Sequence, residues 1–266
     1  MPLSPLLERY DHVLLDLDGC VYVGEVCTRG APAAVSELRA AGKAVMFLTN
    51  DTRRSPEEYV RKLWSLGLRA SLEEVVTVGA AIQWVLAESW PGRPTYVIGS
   101  SAIFRHVTDA GQRIVNGTGR PADAEVVVVA GHDELHFSEL RDATQAVLAG
   151  AEMLAAGRDR TFPTDDGVWP ATGPLVAALE YATERSARIA GKPAPEMFNA
   201  ALDRLGPGRT LVVGDGLESD LGGAVAAGLD GAIVLTGVST RAQAEAAGEP
   251  TPLAIAEDLH ALLVGS

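Results

Sequence analysis

The sequence predicts an α/β protein built on parallel sheets, with two βα systems in one chain that suggest two domains. Three observations carry that expectation. Short apolar runs alternate with amphipathic segments from one end to the other, the pattern of βαβ units. Several of those runs end in acidic or hydroxyl residues beside glycine, the grammar of a strand-to-helix turn. The length of 266 residues exceeds what one average domain of about 150 residues needs.

The elements follow in order. Residues 13–18 read as a buried strand closed by Gly19, and residues 32–41 as a helix with Gly42 as its stop. Residues 45–48 are the next strand. Ser55 and Pro56 open a second helix, a capping hydroxyl with proline in the first turn. In the middle, strands at 96–98, 126–129 and 153–155 alternate with helices at 101–110 and 138–148, and residues 116–121 form a loop. Near the end come a strand at 210–215, a short helix at 221–227 and a strand at 231–236. Right-handed crossovers then give a parallel sheet covered on both faces.

Composition removes several classes. With 47% hydrophobic and 21% charged residues the chain is ordinary globular material, not disordered, collagenous or coiled-coil as a whole. Lys and Arg total 22 against 35 Asp and Glu, a net charge of −13. Nucleic acid polymers and anionic membranes need a basic footprint, so neither is expected as a partner. Cys20 and Cys27 are too few for a disulfide scaffold, and the N-terminal residues do not read as a signal peptide, so a reduced cytoplasmic home is expected. The longest uncharged runs, such as 75–87, fall short of the ~18 residues a membrane span needs.

The chemistry is expected where acids close strands. Asp16 and Asp18 flank the end of the first strand, and Asp215 closes another between Gly214 and Gly216, with Asp220 following. Ligands of open α/β sheets bind beyond the carboxyl ends of strands, so these acids can meet in one crevice. One acid at a strand end is explained as a turn cap; this set is not. Several carboxylates together need compensation, and Mg²⁺ with oxygen ligands supplies it and attracts phosphate. An aspartate can also act as a nucleophile toward phosphorus. Thr49 and Asn50, at the end of the second strand, can donate to phosphate, and Lys192, set between Gly191 and Pro193, is a point charge for it.

In this order the four pieces resemble the haloacid dehalogenase (HAD) superfamily of phosphatases. The branch most resembled carries a large cap, that of NagD, 4-nitrophenylphosphatases and the phosphoglycolate or glycerol-3-phosphate phosphatases. The resemblance runs from residue 11 to about 238 and includes the stretches 15–22, 47–51, 161–164, 173–176 and 188–193. It implies a doubly wound parallel-sheet, Rossmann-like HAD core at 1–80 and 185–266 and an inserted α/β cap at 81–184. It also implies an Asp16 nucleophile and an Asp18 acid and base. Mg²⁺ would be held by Asp16, the Asp18 backbone carbonyl and Asp215, with Asp220 behind them. Thr49, Asn50 and Lys192 would bind phosphate. Relatives suggest a homodimer through the cap.

The implied reaction is hydrolysis of a small phosphorylated metabolite: phosphoglycolate, glycerol phosphate, a sugar phosphate or a nucleotide. A phosphotransferase or mutase using the same aspartyl-phosphate stays open, as does a non-catalytic phospholigand-binding protein. Cys20 and Asp51 depart from the family pattern. Arg158, Asp159 and Arg160 replace a usual cap stretch and are candidates for substrate selection. His132 and His136 have a zinc-like spacing, but they sit in an expected loop.

Overall fold

A computed structural model describes residues 3–164 and 167–264; the side chains of 162–168, which include part of the 161–164 stretch noted above, lie outside the description. The chain forms two compact units. One comprises Met1–Thr49, Pro56–Val76 and Lys192–Ser266; the other comprises Asn50–Ser55 and Thr77–Gly191.

Among the described residues, the first unit carries a six-stranded sheet. Its spatial order is Ile255–Ala256, Asp230–Val234, Thr210–Gly214, His12–Asp16, Ala44–Thr49 and Val75–Thr77. His12–Asp16 lies at the centre, parallel to both neighbours, and every residue of it is buried. A central parallel strand has both faces covered, which is why Val13, Leu14 and Leu15 are apolar without alternation. Register aligns the strand ends: Leu15 pairs with Val213 and Asp16 with Leu48. Asp16, Thr49 and Asp215 therefore leave the sheet at one edge. Leu15, Leu38, Phe47, Leu63, Val213 and Leu263 belong to one buried cluster that fixes this edge.

Helix Ala31–Ala40 ends as its sequence demands. Gly42 adopts φ +76°, and the amide of Lys43 returns to the Leu38 carbonyl. After Thr210–Gly214 the expected short helix at 221–227 starts earlier and differently. A wide turn over Leu217–Gly222 precedes the helix Gly223–Ala226, and the amides of Asp220 and Leu221 both reach the Gly216 carbonyl. Such widened turns occur where a side chain must be re-aimed; here the side chain is Asp220.

The second unit has its own parallel sheet, in the order Arg188–Ile189, Glu152–Ala155, Val126–Val129, Pro94–Ile98 and Arg113–Ile114. Helices Val78–Ser89, Ser101–Asp109, Phe137–Leu148 and Thr172–Thr183 belong to it. Tyr96, Val127, Val129, Met153, Val176 and Leu179 share its core. The segment 50–55 is stitched to this unit: Thr52 Oγ1 donates to the Gly131 carbonyl at 2.8 Å, and Ser100 Oγ donates to the Thr52 carbonyl at 2.9 Å.

The unit is wider than the insert read as 81–184. Position 81 falls inside helix Val78–Ser89, whose sequence is apolar on nearly every side and so shows no period. Position 184 precedes Arg188–Ile189, an edge strand of two residues that pairs with Leu154 and Ala155. Among the described residues, no helix is long and apolar enough to cross a membrane.

The central strand sets a stability expectation. Leu15 is fully buried, so Leu15→Ala should cost about 2–5 kcal/mol in equilibrium urea unfolding. Leu148, 65% exposed, should cost under about 0.5 kcal/mol as alanine. Equal losses at the two positions would contradict this core.

Candidate active site

The strand His12–Asp16 delivers Asp16 into a buried position and then turns sharply. The Leu17 amide donates to the Leu48 carbonyl at 3.2 Å, and the Gly19 amide donates to the Tyr22 carbonyl at 2.7 Å. Gly19 has φ +94°, and a Cβ there would stand 2.4 Å from Asp215 Oδ2. Both the left-handed backbone and the close approach require glycine. The turn leaves Asp18 exposed while Asp16 stays buried.

Asp16, Asp215 and Asp220 bring carboxylate oxygens within 4.8 Å of one another, and all three residues are buried. Lys192, also buried, donates from Nζ to Asp16 Oδ1 and, at 2.6 Å, to Asp220 Oδ1. Asp220 Oδ2 accepts from the Gly216 amide at 2.9 Å and from Ser219 Oγ at 3.2 Å. Both oxygens of Asp220 are thus engaged, and its charge serves to hold the lysine. Gly214 makes room for it, since a Cβ there would meet Asp220 Cγ at 2.2 Å. Asp215 Oδ2 accepts from the Val238 amide at 2.6 Å.

The electrostatics are unbalanced. Burial alone would lower the Lys192 ammonium, but the adjoining Asp16 and Asp220 carboxylates outweigh it and hold the lysine above its ordinary value. It stays charged. Asp16 is pushed well above the carboxylate range by burial; Lys192 opposes the rise, and Asp220 and Asp215 add to it. Burial also raises Asp215, against the Val238 hydrogen bond, with Asp220 adding to the rise. The lysine satisfies itself between two acids, yet one ammonium cannot neutralise three carboxylates. The cluster has a formal excess of two negative charges.

One atom records the shortfall. Asp16 Oδ2 is buried with no hydrogen-bond partner. A buried carboxylate oxygen costs free energy unless something positive meets it. A divalent cation with oxygen ligands fits this set in charge and in donor chemistry.

The remaining residues singled out in the sequence fall as follows. Thr49 is buried, one residue past the register partner of Asp16. Asn50 is half-buried and belongs to the second unit. Asp51 folds back on its own loop, where its Oδ1 accepts from the Arg53 amide at 3.0 Å and from Arg53 Nε at 2.8 Å. Cys20 is fully buried, and burial followed by the nearby acids pushes its thiol well up, the environment of a packing group.

Arg158 lays both guanidinium nitrogens on Glu180, at 2.9 and 2.6 Å, and is tied into the fold. Asp159 and Arg160 are exposed. His132 Nε2 meets Glu139 Oε1 at 3.1 Å, and the His136 amide donates to Glu139 Oε2 at 2.8 Å, so this pair frames a helix start. The sequence reading passed over Thr236 and Val238. The signal for them was faint: a strand run ending in a hydroxyl residue, as at Thr49, here followed by Gly237.

Comparisons with known proteins agree with this geometry. Residues 13–113 match the family model of haloacid dehalogenase-like hydrolases, and residues 189–262 match the HAD-hydrolase-like model. The chain is 38% identical to the D-glycerol 3-phosphate phosphatase of Mycobacterium tuberculosis, over 98% of this chain and 73% of that protein. It is 30% identical to an acid sugar phosphatase of Staphylococcus aureus, over 88% of this chain and 90% of that protein. A crystal structure of the Mycobacterium tuberculosis glycerol phosphate phosphatase in complex with magnesium superposes with a TM-score of 0.88 at 38% identity, covering 95% of this chain and 77% of that one.

The tight packing on Asp215 is testable by substitution. Gly19→Ala should displace the Asp215 carboxylate and lower stability by more than the ~1–2 kcal/mol of a left-handed alanine. Gly24 also has positive φ but open space around it, so Gly24→Ala should show the backbone cost alone. Thermal unfolding of both variants with and without a divalent cation checks this. A cation-induced stabilisation preserved in Gly19→Ala would contradict the packing.

Proposed function

Because the chain belongs to the haloacid dehalogenase-like hydrolases, we propose that it is a Mg²⁺-dependent phosphatase of small phosphomonoesters that works through an aspartyl-phosphate at Asp16. One observation carries the reading: the buried, unpartnered Asp16 Oδ2 beside an oxygen already held by Lys192. An engaged oxygen fixes the carboxylate, and the other remains for chemistry. Asp16, the Asp18 backbone carbonyl and Asp215 would hold Mg²⁺. When bound, the ion offsets the excess negative charge and polarises a phosphate oxygen.

The protein's own residues carry the steps. Thr49, Asn50 and Lys192 bind the phosphate oxygens and place phosphorus in line with the Asp16 carboxylate. An Asp16 oxygen forms the new bond to phosphorus as the ester oxygen leaves, and Asp18 gives that oxygen its proton. Water then attacks phosphorus, Asp18 takes the water's proton, and the Asp16 carboxylate is released with inorganic phosphate. Asp18 is exposed and Asp16 is buried, which suits a proton carrier beside a fixed nucleophile. The raised Lys192 stays a donor throughout.

The substrate is read as a small metabolite such as glycerol phosphate, phosphoglycolate, a sugar phosphate or a nucleotide. The names of the relatives support the glycerol and sugar phosphates first. The net charge of −13 speaks against nucleic acid polymers and anionic membranes. The second unit is read as a cap that selects among substrates, with Asp159 and Arg160 as its candidates and Arg158 committed to Glu180. A cytoplasmic homodimer joined through that unit completes the proposal.

Asp16→Asn should lower kcat by about 10³-fold or more while leaving circular dichroism and the melting temperature near those of the parent. EDTA should silence the parent enzyme, and added Mg²⁺ should restore it. Phosphate release from a panel of phosphorylated metabolites reads both. Normal turnover by Asp16→Asn, or full activity in chelator, would overturn the assignment.

A further inference from the structure

The turn after strand Asp230–Val234 touches two parts of the acid cluster at once. Thr236 Oγ1 donates to the Gly19 carbonyl at 2.5 Å, and two residues on, the Val238 amide donates to Asp215 Oδ2 at 2.6 Å. Between them, a Cβ on Gly237 would lie 1.8 Å from Asp215 Oδ2, so this residue must be glycine for the turn to approach. Gly19 presses on the same oxygen from its own side. The Asp215 carboxylate is therefore flanked by two glycines, and Thr236 ties the turns that bear them together. The side chain of Val238 is 78% exposed, so its contribution is the amide.

Gly19 is pinned at both ends. Its amide donates to Tyr22 and its carbonyl accepts from Thr236. The peptide joining Asp18 to Gly19 is planar, so the Gly19 N–H bond to Tyr22 sets the direction of the Asp18 carbonyl, while the Thr236 bond holds the next peptide plane, Gly19–Cys20, and with it the turn. We infer that Thr236 is a positioning residue for the divalent cation, holding the Asp18–Gly19 turn and the Asp215 carboxylate in one geometry. This rests on the Mg²⁺ role proposed above. Groups that orient metal ligands without touching the metal set its affinity, because misaligned ligands must be reorganised when the ion binds. Thr236 is only half-buried, so its hydroxyl can be removed with little loss of packing.

The test is calorimetric titration of the substrate-free protein with Mg²⁺, paired with melting curves with and without the ion. Thr236→Val removes the hydroxyl and keeps the shape; it should raise the Mg²⁺ dissociation constant by roughly 10-fold or more. Thr236→Ser keeps the hydroxyl and should stay within about twofold of the parent. The Mg²⁺-free melting temperature should change little in either, while the Mg²⁺-induced rise shrinks in Thr236→Val alone. If Thr236→Val folds poorly, Thr236→Ala takes its place, with the same expected loss of affinity. Parent-like Mg²⁺ affinity in the variants lacking the hydroxyl would overturn the positioning role and leave the phosphatase reading intact. A parent protein that binds no Mg²⁺ would overturn both.

Discussion

A buried lysine between two buried aspartates governs the rest of the site. Lys192 bridges Asp16 and Asp220, and none of the three has bulk water to dissipate its charge. Taking such ions out of water costs several kcal/mol each unless the geometry is good and the remaining lone pairs are met. The fold meets most of them: the Gly216 amide and Ser219 hydroxyl on Asp220, and the Val238 amide on Asp215. It leaves Asp16 Oδ2 unmet. That one deficiency makes a cluster of acids a place for a dication and a phosphoryl group. It also explains how a chain of net charge −13 can act on an anion, since the sign is reversed locally by Lys192 and the bound ion.

The sheet makes this arrangement possible by aligning strand ends. Parallel register brings Asp16, Thr49 and Asp215 out at one edge although they are far apart in sequence. Crowding at that edge then dictates glycine. Positions 19, 214 and 237 each leave no space for a Cβ beside an acid of the cluster. The widened turn over Leu217–Gly222 has the same origin, because it swings Asp220 back onto the Gly216 amide and the lysine. Local irregularities of the core are thus consequences of packing charged groups tightly at the strand ends.

Much of this was legible in the sequence, and the illegible parts share a cause. Asp16, Lys192, Asp215 and Asp220 stand out because an acid or lysine at the end of an apolar run has few purely structural explanations, and the structure brings these four together. Alternation of strands and helices gave the parallel architecture for the same reason, since apolar period follows burial. Thr236 and Val238 were hard to see as site residues: a hydroxyl after a strand is common, and Val238 acts through its backbone amide, which leaves no residue signature. The bond of Arg158 to Glu180 spans 22 residues on an exposed surface and exists only once the unit has folded. The long segment of the second unit runs from Thr77, and helix Val78–Ser89, apolar nearly all round, gives the sequence no period with which to mark that boundary. Its end, at 191, hangs on a two-residue strand that propensity cannot find.

Asp16 is proposed as the group that takes the phosphoryl group. The most direct measurement is rapid acid quench of the enzyme during turnover, borohydride reduction of any acyl phosphate, and peptide mass spectrometry. A trapped aspartyl-phosphate is reduced to homoserine, so homoserine is expected at position 16 and nowhere else. An unmodified Asp16 under conditions of steady turnover, or the label on another acid, would contradict it.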